Sequence, residues 1–577
     1  MACLVIGLFV VAGLIASIPV ARAQSSGATY YWGTATSAPL SDLNPLTASG
    51  LPGDVASLMY QDSLMLELST GQQIPWLATN YSMTNGGKTL TFNLNQNAEW
   101  VNGSSVVGHI TAQDVVYTFH ALMANSSLDT YGIDAYLTNV TALSTYTVQF
   151  SFNTAFVMEL RYIGIQPIVP YAWHTLVSNI SSLGNYDNLN IGHQISAGVY
   201  TLTKATASSI TFVANTHFWK GTAHIPNLVI VPYKSSSSMT LSFKAGDLTS
   251  EIPAVSDYFA LNATPHIKNV IQKGPNAYYL WSNDAKAPFN NTYFRIGIAY
   301  ALNKSQIMNK AEDGLGGRGS FGGESWVNQS WWAAGLPYYN YSVYNAKQMF
   351  IKAGLHLQNG FWAYSNNTTV KLNIVDPPVS DWMAAATFIE NDLYAVGFQV
   401  TESIVPFSTW GTDMFQSNGS AQSTSISYYG ETSPFSDPYF ILWNVYSPNS
   451  FWDAYTLHWS NSTVNSLLNQ SAVSTNVAQE LTYLKQAQTI IASQVPGVLI
   501  GDIGSYYAYN SQKVTGINPT HGLLNPLNLL SMKAVTSAPT TPVSSTIYYV
   551  AGAIIVVVII AGVALVYSRS RKRKKDE

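Results

Sequence analysis

The feature that most constrains the fold is a stretch of about 510 residues, bounded by an apolar run at each end and free of internal repeats. A single hydrophobic core stops growing at roughly 250–300 residues, so a stretch of this length requires at least two lobes. Strand and helix patterns alternate irregularly along it. The sequence therefore predicts an α/β or α+β protein in two lobes.

Several elements can be predicted from local patterns. Apolar and polar residues alternate over residues 90–94, which is typical of a half-buried strand. Thr111 predicts the start of a helix, because its side chain can cap the helix while Asp114 reaches back to it. Apolar residues at helical spacing predict two further helices, over residues 382–396 and 477–495.

The amino-terminal residues have the features of a secretory signal. Residues 4–18 are apolar but too few to span a membrane comfortably, and Ala21-Arg22-Ala23 follows as an A-x-A cleavage site. One feature of such signals is missing, since no Lys or Arg precedes the apolar run. We predict that residues 1–23 are a signal peptide and that Gln24 begins the mature chain.

The second apolar run predicts a membrane anchor. Residues 547–567 carry no charge over 21 positions, enough for a helix to cross roughly 30 Å of hydrocarbon. The basic tail at 568–577 belongs in the cytoplasm by the positive-inside rule. Residues 536–546 form a Ser/Thr/Pro stalk. We predict a single-pass protein of the cell membrane with its ectodomain outside, where sequons from Asn80 to Asn469 fit a glycosylated surface.

Composition and motifs argue against an enzyme and against nucleic acid as a partner. Charged residues are only 10% and the net charge is −4, so no basic surface is expected. Cys3 is the only cysteine, and the ten histidines form no H-x-H or H-E-x-x-H spacing, which predicts no metal site and no cofactor. No G-x-S-x-G elbow is present. Gly314–Gly319 match G-x-G-x-x-G, but a helical pattern precedes them, so we interpret them as a flexible loop.

Short blocks occur in a characteristic order between residues 40 and 520. They are Ile74–Ala78, Lys88–Leu94, Glu99–Gly103, Thr111–Val115, Ser196–Tyr200, Asn215–Gly221, Phe243–Asp247, Phe294–Asn303, Tyr344–Gly354 and Ser436–Pro438. In order and spacing they resemble the oligopeptide/dipeptide/nickel class, family 5, of extracellular solute-binding proteins of ABC importers. The C-terminal helix in place of an acylated cysteine resembles the archaeal arrangement.

The resemblance implies an α/β, two-lobed periplasmic-binding-protein-like fold of type II, in the large class with an extra subdomain. Lobe I would comprise residues 24–277 with a return segment at 503–535, and lobe II residues 278–502. The implied function is to capture a small solute outside the cell by lobe closure and to deliver it to ABC permease and ATPase subunits. A sensor that feeds no transporter, and a structural surface protein, remain open as alternatives.

The resemblance also places a ligand strand just before Asp437-Pro438. In peptide-binding relatives, an aspartate four residues before the matching proline pairs with the α-ammonium of the peptide. In this chain that position is Pro434, so the ungapped match lacks the anchor. A three-residue insertion would bring Glu431 to the role.

The candidate ligand-binding residues are therefore Tyr428, Tyr429, Glu431, Trp410 and Asp437. The chain also has 15 Trp, 36 Tyr and 22 Phe beside its few charges, and aromatic rings of this kind can stack on sugars. A short peptide is the favoured ligand from the sequence, and an oligosaccharide is the alternative.

Overall fold

The structure, a computed structural model, describes residues 28–535 apart from 36–39, 41, 49, 61, 69–71, 130–131, 156–158, 323–330, 379, 407–408, 411–422, 430–437, 449–456, 475 and 520. The predicted signal peptide, stalk and transmembrane helix lie outside these residues. Within the described residues, no helix combines the length and the apolar character that crossing a membrane requires.

The helices of the described part are distributed along the whole chain. They are α1 (Gly50–Met59), α2 (Ala112–Ala124), α3 (Glu159–Ile165), α4 (Ser236–Lys244), α5 (Val255–Asn262), α6 (Thr292–Ala301), α7 (Lys304–Ala311), α8 (Val343–Lys352), α9 (Ser380–Val396), α10 (Pro438–Tyr446), α11 (Ser462–Ala472), α12 (Val477–Gln494) and α13 (Pro526–Ser531).

The strands alternate with these helices. They are β1 (Thr29–Ala35), β2 (Met65–Glu67), β3 (Gln73–Pro75), β4 (Ala78–Thr84), β5 (Thr89–Leu94), β6 (Glu99–Asn102), β7 (Ser105–His109), β8 (Leu137–Ser144), β9 (Thr147–Phe152), β10 (Ile195–Ser196), β11 (Tyr200–Thr206), β12 (Ser209–Ala214), β13 (Asn227–Tyr233), β14 (Ser250–Glu251), β15 (Ile267–Ser282), β16 (His356–Gln358), β17 (Phe361–Ala363), β18 (Lys371–Asp376), β19 (Gln399–Ile404), β20 (Ser423–Tyr429), β21 (Val498–Asn510), β22 (Val514–Thr515) and β23 (Lys533–Ala534).

In the described part of the chain, these strands form one ten-stranded sheet and five smaller ones. The large sheet has the order β11-β12-β13-β1-β14-β21-β15-β20-β18-β19. A four-stranded sheet, β4-β5-β9-β8, belongs to the amino-terminal half of the chain, and α2 packs against its β8 and β9. The fold is therefore α/β, with mixed strand directions in the large sheet.

The two long strands β15 and β21 join the two halves of the large sheet. They pair antiparallel with each other, and each also pairs with a strand of one half. β14 pairs with the carboxyl-terminal part of β21, where Glu251 lies opposite Ala508, whereas β20 pairs with the carboxyl-terminal part of β15. The β15–β21 ladder is interrupted between Lys273 and Asn276, where β15 passes from one half to the other. The chain thus crosses twice between two lobes.

The parallel strands of both lobes point at this crossing. β1 pairs parallel with β13 and β14 in one lobe, and β18 pairs parallel with β19 and β20 in the other. β14 and β20 both run toward the interruption in β15, from opposite sides. The carboxyl ends of the two parallel groups therefore face each other across the middle of β15 and β21.

The locally predicted elements are confirmed. The strand over residues 90–94 is β5, and the helix that begins after Thr111 is α2. The capping box is complete, because the Thr111 side chain accepts from the backbone of the first turn and the Asp114 carboxylate accepts from the backbone N–H of Thr111. The two helices predicted from apolar spacing are α9 and α12.

Candidate ligand-binding site

Strand ends gather at two facing edges of the large sheet. On one side β1, β13 and β14 end at Ala35, Tyr233 and Glu251, and on the other β18 and β20 end at Asp376 and Tyr429. In open α/β sheets, ligands bind in the crevice outside the carboxyl ends of the strands. The space between these two edges, beside the interruption in β15, is therefore the candidate ligand-binding site.

Two acidic residues end strands at this site, Glu251 in β14 and Asp376 in β18, and no local sequence pattern marks either of them. Glu251 and Asp376 are both 0% exposed. Burial raises the pKa of the Glu251 carboxyl to about 7; the Thr240 hydroxyl opposes this shift, Asp257 adds to it, and Lys244 opposes it. A buried carboxyl with so high a pKa is partly neutral near pH 7, so Glu251 can donate a hydrogen bond as well as accept one.

The predicted residues Tyr428 and Tyr429 lie at the end of β20. Their backbones pair with β15, where Tyr428 is opposite Tyr278 and Tyr429 is opposite Ala277. Ala277 is also paired with Asp502 of β21, directly beside the crossing between the lobes. The structure therefore brings the backbone of both tyrosines to the candidate site.

Trp410 is buried in the neighbouring layer. Its side chain is only 4% exposed, and its ring lies 5.5 Å from that of Trp382 at the start of α9. α9 packs against β18 and β20, so Trp410 lies in the layer that supports the candidate strand. Trp410→Ala would remove part of this support as well as any ligand contact.

Glu431 and Asp437 fall outside the described residues. The chain leaves β20 at Tyr429, beside the crossing, and is described again from Pro438 at the start of α10. The roles of Glu431 as ammonium partner and of Asp437 as a site residue remain predictions.

The glycine-rich segment Gly314–Gly319 is a loop, as predicted, but it is held firmly against a crossing strand. It follows α7, and Gly317 and Asp502 exchange two backbone hydrogen bonds of 2.7 and 3.0 Å. A Cβ on Gly319 would lie 2.5 Å from the Asp502 carboxylate and 2.7 Å from the Leu499 side chain. The glycines thus permit the loop to approach β21 closely, which explains their density without any nucleotide.

Gly319→Ala should therefore destabilise the protein. The added methyl group overlaps Asp502 and Leu499, and overpacking of this kind costs about 1–3 kcal/mol. Gly108→Ala is the matched control, because a Cβ at Gly108 meets nothing within 4 Å. Denaturant unfolding of both variants checks this, and equal midpoints would contradict the close approach at Gly319.

A cavity of about 350 Å³ opens beside the same loop. Its walls include Phe321, Trp332 and Tyr338, and the Arg318 guanidinium lies 3.6 Å from the centre of the Tyr338 ring. The buried Lys304 ammonium donates to the backbone carbonyl of Tyr339, at 2.7 Å, and so fixes this wall. Aromatic walls with one exposed guanidinium can accommodate an amphipathic group.

Among the residues that the structure describes, no three His, Cys, Asp or Glu side chains come together as a metal site requires. The candidate site can enclose a solute between the two strand edges and form hydrogen bonds to it.

This arrangement defines a class: two-lobed receptors that hold a solute between the facing carboxyl ends of their strands. The family model "Bacterial extracellular solute-binding proteins, family 5 Middle" matches residues 72–453. The chain belongs to this family.

The chain is similar to several characterised proteins over most of their length. It is 22% identical to heme-binding protein A of Haemophilus influenzae, over 82% of this chain and 87% of that protein. It is 21% identical to di/tripeptide-binding protein 1 of Pseudomonas aeruginosa, over 76% of this chain and 82% of that protein. The fold matches that of the oligopeptide-binding protein AppA of Bacillus subtilis in complex with a nonapeptide, with a TM-score of 0.73 and 16% identity. The match covers 88% of this chain and 99% of AppA.

Proposed function

We propose that this protein is the receptor of an ABC importer, and that it captures short peptides outside the cell and delivers them to the permease. The observation that carries the proposal is the pair of facing strand edges beside the β15–β21 crossing, in a chain that belongs to the family 5 solute-binding proteins. A ligand in this space contacts both lobes only when they close, so binding shifts the protein toward its closed state. No covalent chemistry is involved.

Peptides are favoured as ligands by the names of relatives. Di/tripeptide-binding protein 1 and AppA with its nonapeptide are both similar to this chain over most of its length. Heme-binding protein A is about as similar to this chain as the di/tripeptide-binding protein is, but its name gives heme as the ligand. The class of ligand therefore differs among these relatives. The oligosaccharide alternative is supported by one solved structure of this fold, a periplasmic oligopeptide-binding protein from Thermotoga maritima with mannohexaose bound. The sensor and structural alternatives have no comparable support.

The proposed ligand contacts come from β20 and the residues that follow it. Tyr428 and Tyr429 would contact the ligand directly, and Glu431 would pair with its α-ammonium. Asp437 would lie at the end of the same segment, and Trp410 would support it from the α9 layer. The backbone position of β20 beside the crossing supports this assignment.

The proposed lobe boundaries lie at the crossing. Lobe I would be residues 24–277 with the return segment 503–535, and lobe II residues 278–502. The interruption in the β15–β21 ladder after Lys273 supports a boundary there. The four-stranded sheet β4-β5-β9-β8 would belong to the extra subdomain of the large class.

The membrane attachment is proposed from the sequence. The uncharged run at 547–567 would be a transmembrane helix, with the basic tail at 568–577 in the cytoplasm. This C-terminal tether would take the place of an acylated cysteine, as in the archaeal arrangement. Sequons on the exterior lobes would carry glycans.

A thermal-shift screen tests the proposed function. Full-length protein in detergent is heated with dipeptides to nonapeptides, with manno-oligosaccharides and with hemin. A peptide present at 100 times its dissociation constant should add about 2.7 kcal/mol to the free energy of unfolding. Stabilisation by sugars or hemin but by no peptide would overturn the peptide assignment, and stabilisation by none of them would overturn the receptor function.

A further inference from the structure

A second contact joins the two lobes, away from the crossing strands. On one side it is formed by α3 and by the short turn at Ile133–Ala135, which belong to the amino-terminal part of the chain. On the other side it is formed by α10 and α12, which pack against each other; α12 also packs against α6. The helix α12 was predicted from apolar spacing, but its contact with α3 was not, because the two sides are far apart in the chain.

An ion pair lies at this contact. The Arg161 guanidinium of α3 is 3.5 Å from the Glu480 carboxylate in the first turn of α12. The Glu480 side chain is 0% exposed, whereas that of Arg161 is 27% exposed. The backbone of Arg161 is fixed in turn, because its carbonyl accepts a 3.0 Å hydrogen bond from the Gln73 amide. The cation is thus presented to a carboxylate that the other lobe buries.

Aromatic side chains fill the rest of the contact. Tyr162, the next residue of α3, is 0% exposed, and its ring meets that of Phe440 edge-on at 5.9 Å. Burial raises the pKa of the Tyr136 phenol, and a hydrogen bond to the Tyr439 side chain opposes that shift. Both aromatic partners, Tyr439 and Phe440, are in the first turn of α10.

This contact can exist only while the lobes are together. If they moved apart about the β15–β21 crossing, Tyr162 and Phe440 would be exposed to water and Glu480 would lose its guanidinium. Exposing apolar surface and separating a charge pair both cost free energy, so the contact favours closure.

We propose that Arg161 and Glu480 are positioning residues that hold the receptor closed and thereby set its affinity for every ligand. This inference deepens the proposed receptor function and rests on it. The pair would act through the open–closed equilibrium, because a ligand's apparent affinity scales with the fraction of protein in the binding-competent state. Removing the pair would weaken binding of chemically different ligands by one common factor.

The equilibrium can be measured directly by single-molecule energy transfer on full-length protein without any added ligand. Cys3 is the only native cysteine, so Cys3→Ser gives a cysteine-free background. Leu143→Cys and Asn469→Cys then introduce two exposed positions for the dyes, one on each side of the contact. Wild type should show a high-transfer, closed population beside the open one. Arg161→Gln should reduce the closed-to-open ratio about tenfold, a value that allows for the partial exposure of Arg161.

Matched variants separate a positioning role from a general loss of structure. Arg161→Lys keeps the charge and should retain most of the closed population. Glu480→Gln should reproduce Arg161→Gln, and the double variant should open no further, because both changes remove one interaction. If Glu480→Gln fails to fold, the comparison of the closed populations of Arg161→Gln and Arg161→Lys still tests the proposal.

A closed fraction that is unchanged in Arg161→Gln, or a wild type that is open without ligand, would overturn the proposal. So would equal opening in Arg161→Lys and Arg161→Gln. This experiment is independent of the ligand screen. If Arg161→Gln opens the protein but no peptide, sugar or hemin stabilises it, the role of the contact stands and only the receptor function is overturned.

Discussion

Arg295→Met should lower the free energy of unfolding by about 3–5 kcal/mol, the cost of breaking a buried ion pair by removing one partner. Arg295 is 2% exposed, and its guanidinium lies 3.1 Å from the Asp284 carboxylate. It also donates to the backbone carbonyls of Phe289, Gln494 and Val495. One side chain therefore ties α6, the end of α12 and the segment after β15 together.

Denaturant unfolding of three variants measures this effect. Arg295→Lys should fall between wild type and Arg295→Met, because an ammonium keeps the charge but cannot reproduce the planar set of donors. Lys371→Met removes an exposed cation at the start of β18 and should change stability by less than about 1 kcal/mol. An Arg295→Met protein as stable as Lys371→Met would contradict the role of the buried network.

Glu431→Gln should weaken the binding of a free peptide by about 2–5 kcal/mol, if Glu431 pairs with the α-ammonium in a closed cleft. An N-acetylated copy of the same peptide lacks that charge, so it should bind wild type weakly and should lose little more in the variant. Asp313→Asn, which removes an exposed negative charge elsewhere in the same half of the chain, should leave binding unchanged. Calorimetric titration with the best peptide of the screen supplies all of these values.

The same titrations distinguish a sugar ligand. A ligand held by aromatic stacking should bind Glu431→Gln almost as well as wild type, whereas Tyr428→Ala should cost more. Tyr428→Ala is preferable to Trp410→Ala, because Trp410 is buried against Trp382 and its loss would also lower stability. Wild-type affinity for the peptide in both Glu431→Gln and Tyr428→Ala would show that the ligand lies elsewhere.

Elements whose signals lie close together in the chain were predictable. The capping box at Thr111 and the helices α9 and α12 follow from residue spacing within single turns. The family resemblance added the two-lobed α/β fold. The structure gives a physical reason for two of the blocks that carry the resemblance. Phe294–Asn303 contains Arg295, which forms the buried network. Ser196–Tyr200 contains Gly198, where a Cβ would lie only 2.0 Å from the Leu58 carbonyl oxygen, so a side chain does not fit.

Contacts between distant segments were not predictable from one sequence. Arg161 and Glu480 look like ordinary surface charges on amphipathic helices, and only the fold brings them together. The acids at the ends of β14 and β18 were missed for a similar reason, since strand order and direction decide which ends meet. The glycine loop was recognised as a loop, but its attachment to Asp502 depends on the position of β21.

The most direct test of the central claim is hydrogen–deuterium exchange on full-length protein, with and without a saturating amount of the best peptide from the screen. The ligand site proposed here lies between the carboxyl ends of strands in both lobes, so backbone amides next to the ends of β1, β14, β18 and β20 should exchange more slowly in the complex. The four-stranded sheet β4-β5-β9-β8 should change little. Protection confined to that sheet, or to one lobe alone, would contradict a ligand held between the two facing edges.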